Sequence, residues 1–276
     1  MSDELTITCN CDERYLDHLI PLIKSINKNT SNTRLYIRLV NVKDDTLVRE
    51  IINTKSEIIH DSKPLSTKRC LLTGDQMLNA PIFEKKKHHP LLLSEQACYC
   101  SNIKYNTINN LLERGDQHIL QMDVDAIVRR DLNDLIGLIK KYDIVIRKDI
   151  PNYGSLVKNY RSKSELGGVT YRQGVIGINN TLTVRKLFRE VEDLVMEDMK
   201  NWDADQINFQ RVFESMQQDI KFYNLPVTYR DTCHDFAGGD QTGGELNAGS
   251  HIWSGSYKAK FTQDRYLREK KRYASL

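Results

Sequence analysis

Two acidic residues separated by one position are the strongest chemical signal in this sequence. The apolar run 118–122 ends in Asp123-Val124-Asp125, and Ala126-Ile127-Val128 continues apolar. Alternate side chains of an extended backbone share a face, so the pattern predicts that both carboxylates converge where a buried strand ends. Paired carboxylates beside an apolar core need a cation, and their oxygens suit a hard divalent ion. We therefore expect a divalent metal ion on Asp123 and Asp125, held where it can grip a diphosphate.

A second group of chemically useful residues lies near the carboxyl terminus. His251 is followed by Gly255 and Lys258, and the segment 237–255 holds six of the 14 glycines. Histidine can bind a metal ion, glycine lets a ligand approach the backbone, and lysine can neutralise a phosphate. The glycine-dense segment indicates a mobile lid or cradle, with a simply disordered loop as an equal alternative on composition alone.

Three further places could contact a ligand. Asp205 and Gln206 open a predicted helix, where an acidic residue also serves as a cap. Asp12 and Tyr15 follow the first predicted strand, where doubly wound sheets usually contact a nucleobase. Gly174 and Gly177, inside a predicted buried strand, would let a ligand or another backbone approach closely.

The elements that position these residues follow from hydrophobic periodicity. The amino-terminal region alternates strand and helix patterns, which predicts a parallel sheet with helices on both faces. Ser94 is predicted as an N-cap and Gly115 as a helix stop. The predicted strands are 5–9, 34–42, 57–60, 118–122, 143–147, 171–179 and one or two within 220–229. The predicted helices are 16–29, 48–54, 94–114, 132–141, 182–200 and 204–216.

Composition indicates a soluble globular protein, and the length allows one large α/β domain or two small ones. Because no internal repeat or linker divides the sequence, one domain is preferred. The chain has 276 residues, of which 39% are hydrophobic and 28% charged, and its formal net charge is +3. That charge is too small to indicate nucleic acid by itself. Basic runs at 85–89 and 268–272 are interpreted as solvated surface, with phosphate or membrane contact as the alternative. No apolar stretch approaches the roughly 18 residues that span a bilayer, and the acidic start is unlike a signal peptide.

The cysteines and the missing phosphate-loop motif narrow the class further. The six cysteines form no C-x-x-C pair, so we expect buried free thiols in a reducing compartment and a cytoplasmic protein. No G-x-x-x-x-G-K-[ST] sequence is present, which disfavours a P-loop ATPase.

The order of the motifs resembles that of the GT-A glycosyltransferases, and most resembles glycosyltransferase family 8, which includes glycogenin and bacterial lipopolysaccharide galactosyltransferases. The resemblance covers nearly the whole chain. Its motifs are, in order, Asp12-x-x-Tyr15, the D-x-D of Asp123 and Asp125, Gln173-Gly174-Val175-Ile176-Gly177-Ile178-Asn179, Asp205-Gln206-Ile207-Asn208, and the tail from His251 to Lys258.

Members of that family are retaining enzymes that use UDP-sugars and bind manganese. The resemblance therefore implies a role for each matching residue. The metal ligands would be Asp123, Asp125 and His251; Lys258 with Gly255 would hold the diphosphate, and Asp12 with Tyr15 the uridine. Gln173, Asp205 and Gln206 would lie by the transferred sugar, with Gln206 orienting it and Asp205 as a nucleophile or hydroxyl clamp.

The sequence departs from the family pattern at several places, including Ala259 in place of a proline and Arg172-Gln173 in place of an asparagine-containing turn. Three residues separate His251 from Gly255, where the family has two. The arginine of the helix before the D-x-D is absent, and Lys104 or Asn106 is the nearest substitute.

The sequence thus predicts one GT-A domain over 1–276, of class α/β, with a mixed, mainly parallel central sheet flanked by helices. The half 1–130 would bind the nucleotide, and 131–276 sugar and acceptor. The expected activity is transfer of a glucose- or galactose-type hexose from a UDP-sugar to a hydroxyl, with retention and with Mn²⁺ or Mg²⁺. A glycan, lipid, protein or modified nucleobase could be the acceptor, and a homodimer is possible.

Two alternatives remain open at this point. A sugar-nucleotide nucleotidyltransferase could also use carboxylate-bound magnesium, although 11–14 lacks the glycine- and basic-rich loop typical of such enzymes. A non-catalytic glycan or nucleic-acid binder using the basic runs would bind without metal and with a steep salt dependence.

Overall fold

The computed structural model describes residues 4–68, 70–71, 92–148, 171–200, 204–232, 248–254 and 260–276. Lys258, Gly255, the basic run 85–89 and most of the glycine-dense segment lie outside these residues. None of the described helices is both long and apolar enough to cross a membrane.

The described residues form twelve strands and eight α-helices. The strands are β1 Leu5–Asp12, β2 Thr33–Val40, β3 Glu57–Asp61, β4 Cys70–Leu71, β5 Leu92–Leu93, β6 His118–Met122, β7 Ala126–Val128, β8 Ile144–Lys148, β9 Tyr171–Asn179, β10 Phe222–Asn224, β11 Asp231–Thr232 and β12 Ile252–Ser254. The helices are α1 Leu16–Asn29, α2 Thr46–Ile51, α3 Glu95–Asn102, α4 Lys104–Arg114, α5 Asn133–Lys141, α6 Leu182–Glu197, α7 Ala204–Ser215 and α8 Lys260–Ala274.

The central sheet has seven strands in the order β10-β8-β9-β6-β1-β2-β3. All neighbouring pairs are parallel except those that β9 makes with β6 and with β8, which are antiparallel. Helices pack on both faces, so the predicted α/β class with a mixed, mainly parallel sheet is confirmed. Buried residues of α1 and α5, such as Leu22 and Ile139, cover one face. Buried residues of α4, α6 and α7, such as Ile108, Phe188 and Phe209, cover the other.

The strand order brings several candidate residues to one edge of this sheet. β1 and β6 are parallel neighbours, so Asp12 at the end of β1 and Asp123 just after β6 lie at the same edge. Because β9 runs antiparallel to β6, its first residues, including Gln173 and Gly174, reach that edge as well. This is the edge at which open α/β sheets bind ligands.

A second, three-stranded sheet in the order β11-β12-β7 lies next to this edge. β12 pairs antiparallel with β7 and parallel with β11, although β12 and β7 are more than 120 residues apart in sequence. The sequence patterns predicted strands within 220–229 but not this sheet. Its consequence for the site is that the chain leaves the central sheet after Met122 and enters a different sheet at Ala126.

Two helical predictions need correction. The predicted helix 94–114 is divided into α3 and α4 at Ile103, beside Asn102, whose side chain bonds the backbone of Met199 and of Asp205. Ser94 caps α3 by accepting from the backbone N–H of Ala97, as predicted. Gly115 ends α4 at a φ of +93°, the left-handed conformation that favours glycine.

The second correction is α8, which the sequence patterns did not predict. Among the side chains of α8 that the structure describes, the buried Tyr266 and Tyr273, seven positions apart, pack with Ile127 and Trp253. The basic run 268–272 lies on this helix. Arg268, Lys271 and Arg272 are exposed, as the solvated-surface interpretation predicts.

Candidate active site

The D-x-D residues lie in a turn between the two sheets. The backbone N–H of Asp123 donates to the carbonyl of Gly174 on β9 (2.9 Å), which extends the β6–β9 pairing by one residue. The backbone N–H of Ala126 then donates to the carbonyl of Asp123 (3.0 Å), which closes the turn. The prediction that an extended strand aligns the two carboxylates is therefore wrong, because a turn holds them instead.

The two acidic side chains interact electrostatically in this turn. Burial raises the pKa of Asp125 well above its ordinary value, and the charge of Asp123 raises it further. The charges of Arg230 and Lys270 act in the opposite direction on the same pKa. A buried carboxyl whose ionisation is opposed by a neighbouring carboxylate is stabilised by added positive charge.

Arg230 is a site residue that sequence analysis missed. An ideal Cβ built on Gly174 would lie 2.7 Å from Nε of Arg230 and 2.8 Å from Oδ2 of Asp123. Both groups therefore occupy the space above Gly174, and only glycine leaves room for them there. Sequence spacing carried no signal for Arg230, since it reaches the D-x-D only through the pairing of β11 with β12.

His251 is not brought to the acidic pair. Its backbone carbonyl accepts from the N–H of Arg129 (2.7 Å), while Ser254 pairs with Ala126 at the other end of the small sheet. The three residues of β7 lie between the D-x-D and Arg129, and three strand residues span roughly 10 Å. The backbone of His251, which pairs with Arg129, is therefore at the end of β7 that lies away from the D-x-D. The imidazole stacks on Tyr229 with centroids 4.6 Å apart, and its Nδ1 lies 2.8 Å from the carbonyl oxygen of Asp131.

Asp205 lies in a buried polar network with Lys104 and Gln173. Its side chain is 2% exposed, and Oδ2 accepts from Nζ of Lys104 at 2.5 Å. The Nε2 of Gln173 donates to the carbonyl of Asp205 (3.3 Å), and the Oε1 of Gln173 accepts from the hydroxyl of Tyr105 (2.7 Å). Of the two residues offered as substitutes for the absent arginine, Lys104 is the one that pairs with Asp205, whereas Asn106 bonds Arg38 and Glu192. Gln206 follows directly, and its backbone N–H donates to Oδ1 of Asp205 (2.7 Å).

Tyr105 connects this network to the D-x-D. Burial raises the pKa of its hydroxyl well above the ordinary value, and the charges of Asp205 and Asp123 raise it further. Both carboxylates therefore lie close enough to the Tyr105 hydroxyl to influence its ionisation. The structure brings Asp123, Asp125, Gln173 and Asp205 into one region.

Asp12 is also at the same edge, but it is buried and already bonded. Its Oδ2 accepts from the guanidinium of Arg14 (2.6 Å) and from Nε2 of Gln96 (3.3 Å), and its side chain is 1% exposed. Its Oδ1 accepts from the backbone N–H of Arg14 and so caps the turn before α1. Asp12 therefore orients Arg14. Tyr15 is half-buried against the core beside His18.

The acidic pair suits a hard divalent cation. Among the described residues, no group of three His, Cys, Asp or Glu side chains is arranged to hold a metal ion. Asp123 and Asp125 nevertheless supply two hard oxygen donors whose mutual repulsion a cation would relieve. A Mg²⁺ or Mn²⁺ ion held by one or two carboxylates typically completes its coordination with water and substrate phosphates.

The four cysteines whose side chains the structure describes are all free thiols. Cys9, Cys11 and Cys98 are buried and Cys100 is half-buried, in agreement with the prediction of buried thiols. Burial raises the pKa of Cys9 to about 12, and the charge of Asp123 adds to the effect. This thiol is therefore protonated near neutral pH and unsuited to nucleophilic chemistry.

Searches with the sequence found no matching protein-family profile and no matching curated protein. Several solved structures with a similar fold are glycosyltransferases. The bifunctional glycosyltransferase WbbM, in its apo form, has a TM-score of 0.62 at 15% identity, covering 98% of this chain and 50% of WbbM. The apo form of GlyE from Streptococcus pneumoniae TIGR4 has a TM-score of 0.60 at 13% identity, covering 99% of this chain and 62% of GlyE.

The galactosyltransferase LgtC, solved with donor and acceptor sugar analogs, has a TM-score of 0.56 at 12% identity. That match covers 97% of this chain and 95% of LgtC, whereas this chain spans only half of WbbM and under two thirds of GlyE. The chain therefore has the GT-A glycosyltransferase fold that its motif order predicts. Membership of family 8 in particular stays a prediction.

Proposed function

We propose that this protein is a metal-dependent glycosyltransferase that moves a hexose from a UDP-sugar to an acceptor hydroxyl. The observation that carries the proposal is the D-x-D turn at the ligand-binding edge of a GT-A sheet, with its two carboxylates beside Arg230. In this site Asp123 and Asp125 hold Mn²⁺ or Mg²⁺. When bound, the cation supplies positive charge to the diphosphate as it departs.

The nucleotide is proposed to lie along the carboxyl ends of β1 and β6. Arg14, which Asp12 orients, and Tyr15 follow shortly after the end of β1 and would meet the nucleoside. Lys258 is proposed to hold the diphosphate, with Gly255 allowing the backbone to approach. On this view residues 1–130 bind mainly nucleotide and 131–276 mainly sugar and acceptor.

The buried network of Asp205 is proposed to orient the transferred sugar. The carboxylate of Asp205 is engaged by Lys104 and by the backbone N–H of Gln206, so we assign it a positioning role. Gln206 and Gln173 would then face the sugar. Because no described carboxylate stands ready as a strong base there, we propose retention, with a phosphate oxygen of the leaving group accepting the acceptor proton.

The acceptor is proposed to be a hydroxyl on a glycan, lipid, protein or modified nucleobase. A cytoplasmic location and a homodimer stay predictions. The glucose or galactose type of the donor is part of the proposal, and a panel of donors tests it.

The deciding experiment incubates the protein with a panel of UDP-sugars and Mn²⁺ and measures free UDP and pyrophosphate. We expect UDP release that stops on chelation of the metal ion. We also expect it to fall at least 100-fold in Asp123→Asn and Asp125→Asn, a loss comparable to removing one strong electrostatic group from an active site. Circular dichroism and thermal melting check that both variants fold.

Two results would contradict the proposal. Release of pyrophosphate in place of UDP would indicate nucleotidyl transfer. Full UDP release from both folded variants in the presence of chelator would remove the acidic pair and the metal ion from the reaction.

A further inference from the structure

The position of Arg230 relative to the acidic pair is fixed by its backbone and by Gly174. Its N–H donates to the carbonyl of Val227 (2.9 Å), and its carbonyl accepts from Nη1 of Arg147 (3.2 Å). The next residue, Asp231, starts β11 and accepts from the hydroxyl of Ser250 (2.7 Å). With both sides of its backbone held, Arg230 directs its guanidinium over Gly174.

The guanidinium is also largely shielded from water. Its Nε and Nη1 atoms are buried, and Nε and Nη2 would lie 2.7 and 3.1 Å from a Cβ at position 174, beside Oδ2 of Asp123. Charge interactions between buried groups are screened much less than those at the surface. Lys270, the other cation that acts on Asp125, donates to Asp17 at 2.6 Å and is thereby shared with another acid.

From this geometry we propose that Arg230 sets the balance between cation and anion binding at the D-x-D. Arg230 weakens binding of the divalent cation to Asp123 and Asp125, and it strengthens binding of the nucleotide diphosphate once the cation is bound. The second half of this inference rests on the proposed function, while the first half does not.

Counting formal charges explains both effects. Both carboxylates are ionised in the state that binds a cation, and Asp125, whose pKa is raised, gives up its proton to reach that state. The two carboxylates and Arg230 then carry one net negative charge, so the site does not attract a diphosphate until a divalent cation binds. With the cation, the same group carries one net positive charge and attracts the diphosphate. Without Arg230 the site carries two net negative charges before the cation binds and no net charge afterwards. The first value favours binding of the cation, and the second removes the attraction for the diphosphate.

The inference is tested by measuring two affinities in wild type and Arg230→Gln. The first is the affinity for Mn²⁺ alone, from the electron paramagnetic resonance signal of free Mn²⁺. The second is the affinity for UDP at saturating Mn²⁺, from calorimetry. For Arg230→Gln we expect Mn²⁺ to bind about 5- to 10-fold more tightly, because one repulsive charge is gone. We expect UDP to bind about 10- to 100-fold more weakly, because a charge-assisted contact is lost.

Two further variants make the result specific. Arg230→Lys keeps the charge and loses the planar fork, so its Mn²⁺ affinity should stay within about twofold of wild type while UDP binds several-fold more weakly. Arg189→Gln removes an arginine that forms an exposed pair with Glu113, and both affinities should be unchanged.

Weaker or unchanged Mn²⁺ binding in Arg230→Gln overturns the inference, as does a fall of both affinities together. If Arg230→Gln does not fold, Arg230→Lys decides alone, because a clear change in its Mn²⁺ affinity contradicts the charge argument. Failure of the proposed function is recognised separately. Tighter Mn²⁺ binding with no UDP release from any donor supports the cation half and rejects glycosyl transfer.

Discussion

The hydroxyl of Tyr266 donates a 2.8 Å hydrogen bond to the backbone carbonyl of Asp125. Tyr266 lies on α8 and is 4% exposed. The same hydroxyl is 3.1 Å from Nδ1 of His18 on α1, and the two rings stack. Because the hydroxyl proton is given to Asp125, the imidazole must donate from Nδ1. The D-x-D turn is thus tied to both the first and the last helix.

Tyr266→Phe removes this bond without removing the ring. A hydrogen bond of this kind contributes about 1 kcal/mol, so we expect Mn²⁺ affinity and kcat/KM to fall about 3- to 10-fold. Mn²⁺ titration and initial rates measure the two effects.

Tyr273→Phe is the control for that variant. Tyr273 lies on the same helix, and its hydroxyl accepts from Nδ2 of Asn29 (2.9 Å) rather than contacting the turn. Tyr273→Phe should lower the free energy of unfolding about as much as Tyr266→Phe does, and it should keep the Mn²⁺ affinity of wild type. Equal losses of Mn²⁺ affinity in both variants would mean that α8 acts only through general stability.

Gly174→Ala is expected to disturb the site without unfolding the protein. The added Cβ would meet Asp123 and Arg230 at 2.8 and 2.7 Å, so both side chains must move. We expect Mn²⁺ and UDP affinities each to change at least threefold, with kcat reduced about 10-fold or more, since displacements near 1 Å in a site can cost 100-fold.

Gly137→Ala is the control for Gly174→Ala, because it is expected to stabilise the protein without disturbing the site. Gly137 lies inside α5 with open space where a Cβ would stand. Alanine there should raise the free energy of unfolding by roughly 0.5–1 kcal/mol and leave the kinetics unchanged. Normal kinetics in Gly174→Ala would contradict the crowded geometry above residue 174.

Local patterning explains which parts of this molecule were predictable. β9 was predicted at 171–179 because its residues 174–178 form a continuous apolar run, and that run is buried on both faces. β6 was found for the same reason, and the acidic pair was found because it follows that run directly. The predicted geometry of the acidic pair was wrong because the chain changes sheet after Met122, and that change depends on pairing with strands far away in sequence.

Long-range pairing explains what was missed. Arg230 is one of 40 basic residues in the sequence, and only the pairing of β11 with β12 marks it as different. α8 is charged at eight of its 15 positions, which hides its narrow apolar face. The extra residue between His251 and Gly255 was a usable signal. One added residue near a strand moves the histidine away from the D-x-D end and reverses the face it occupies.

Lys104 and Asp205 provide a test of whether Asp205 acts in chemistry or in positioning. Breaking a buried ion pair on one side leaves an uncompensated charge, so Asp205→Asn and Lys104→Gln should each lower the free energy of unfolding by about 3 kcal/mol. The double variant should lose less than the sum of the two. Chemical denaturation measures all three.

Kinetics then separate the two roles of Asp205. If it positions Gln173 and Gln206, the double variant should regain kcat relative to Asp205→Asn, because a neutral pair again fills the network. A double variant as inactive as Asp205→Asn, although equally well folded, would indicate that the carboxylate itself takes part in the reaction.

Asp116 gives a prediction about acid stability that is independent of the site. Its side chain is fully buried and accepts from Thr6 Oγ1 (2.5 Å), from Arg114 Nε (2.8 Å) and from Arg34. Burial alone would raise the pKa of Asp116, but the bonds from Arg114, Thr6 and Arg34 outweigh it and lower the pKa. The ionised form is therefore favoured in the folded state.

A lowered folded-state pKa contributes stability above the unfolded pKa, near 4, and loses it as pH falls through the folded value. Asp116→Asn should thus cost about 2–3 kcal/mol at pH 7, allowing for the partly exposed arginines. The difference in free energy of unfolding between wild type and Asp116→Asn should narrow below about pH 4. Urea unfolding from pH 7 to pH 3 measures it. Glu113→Gln, which removes an exposed partner of Arg189, should cost under about 1 kcal/mol throughout. A gap for Asp116→Asn that is constant with pH would contradict this assignment of charge.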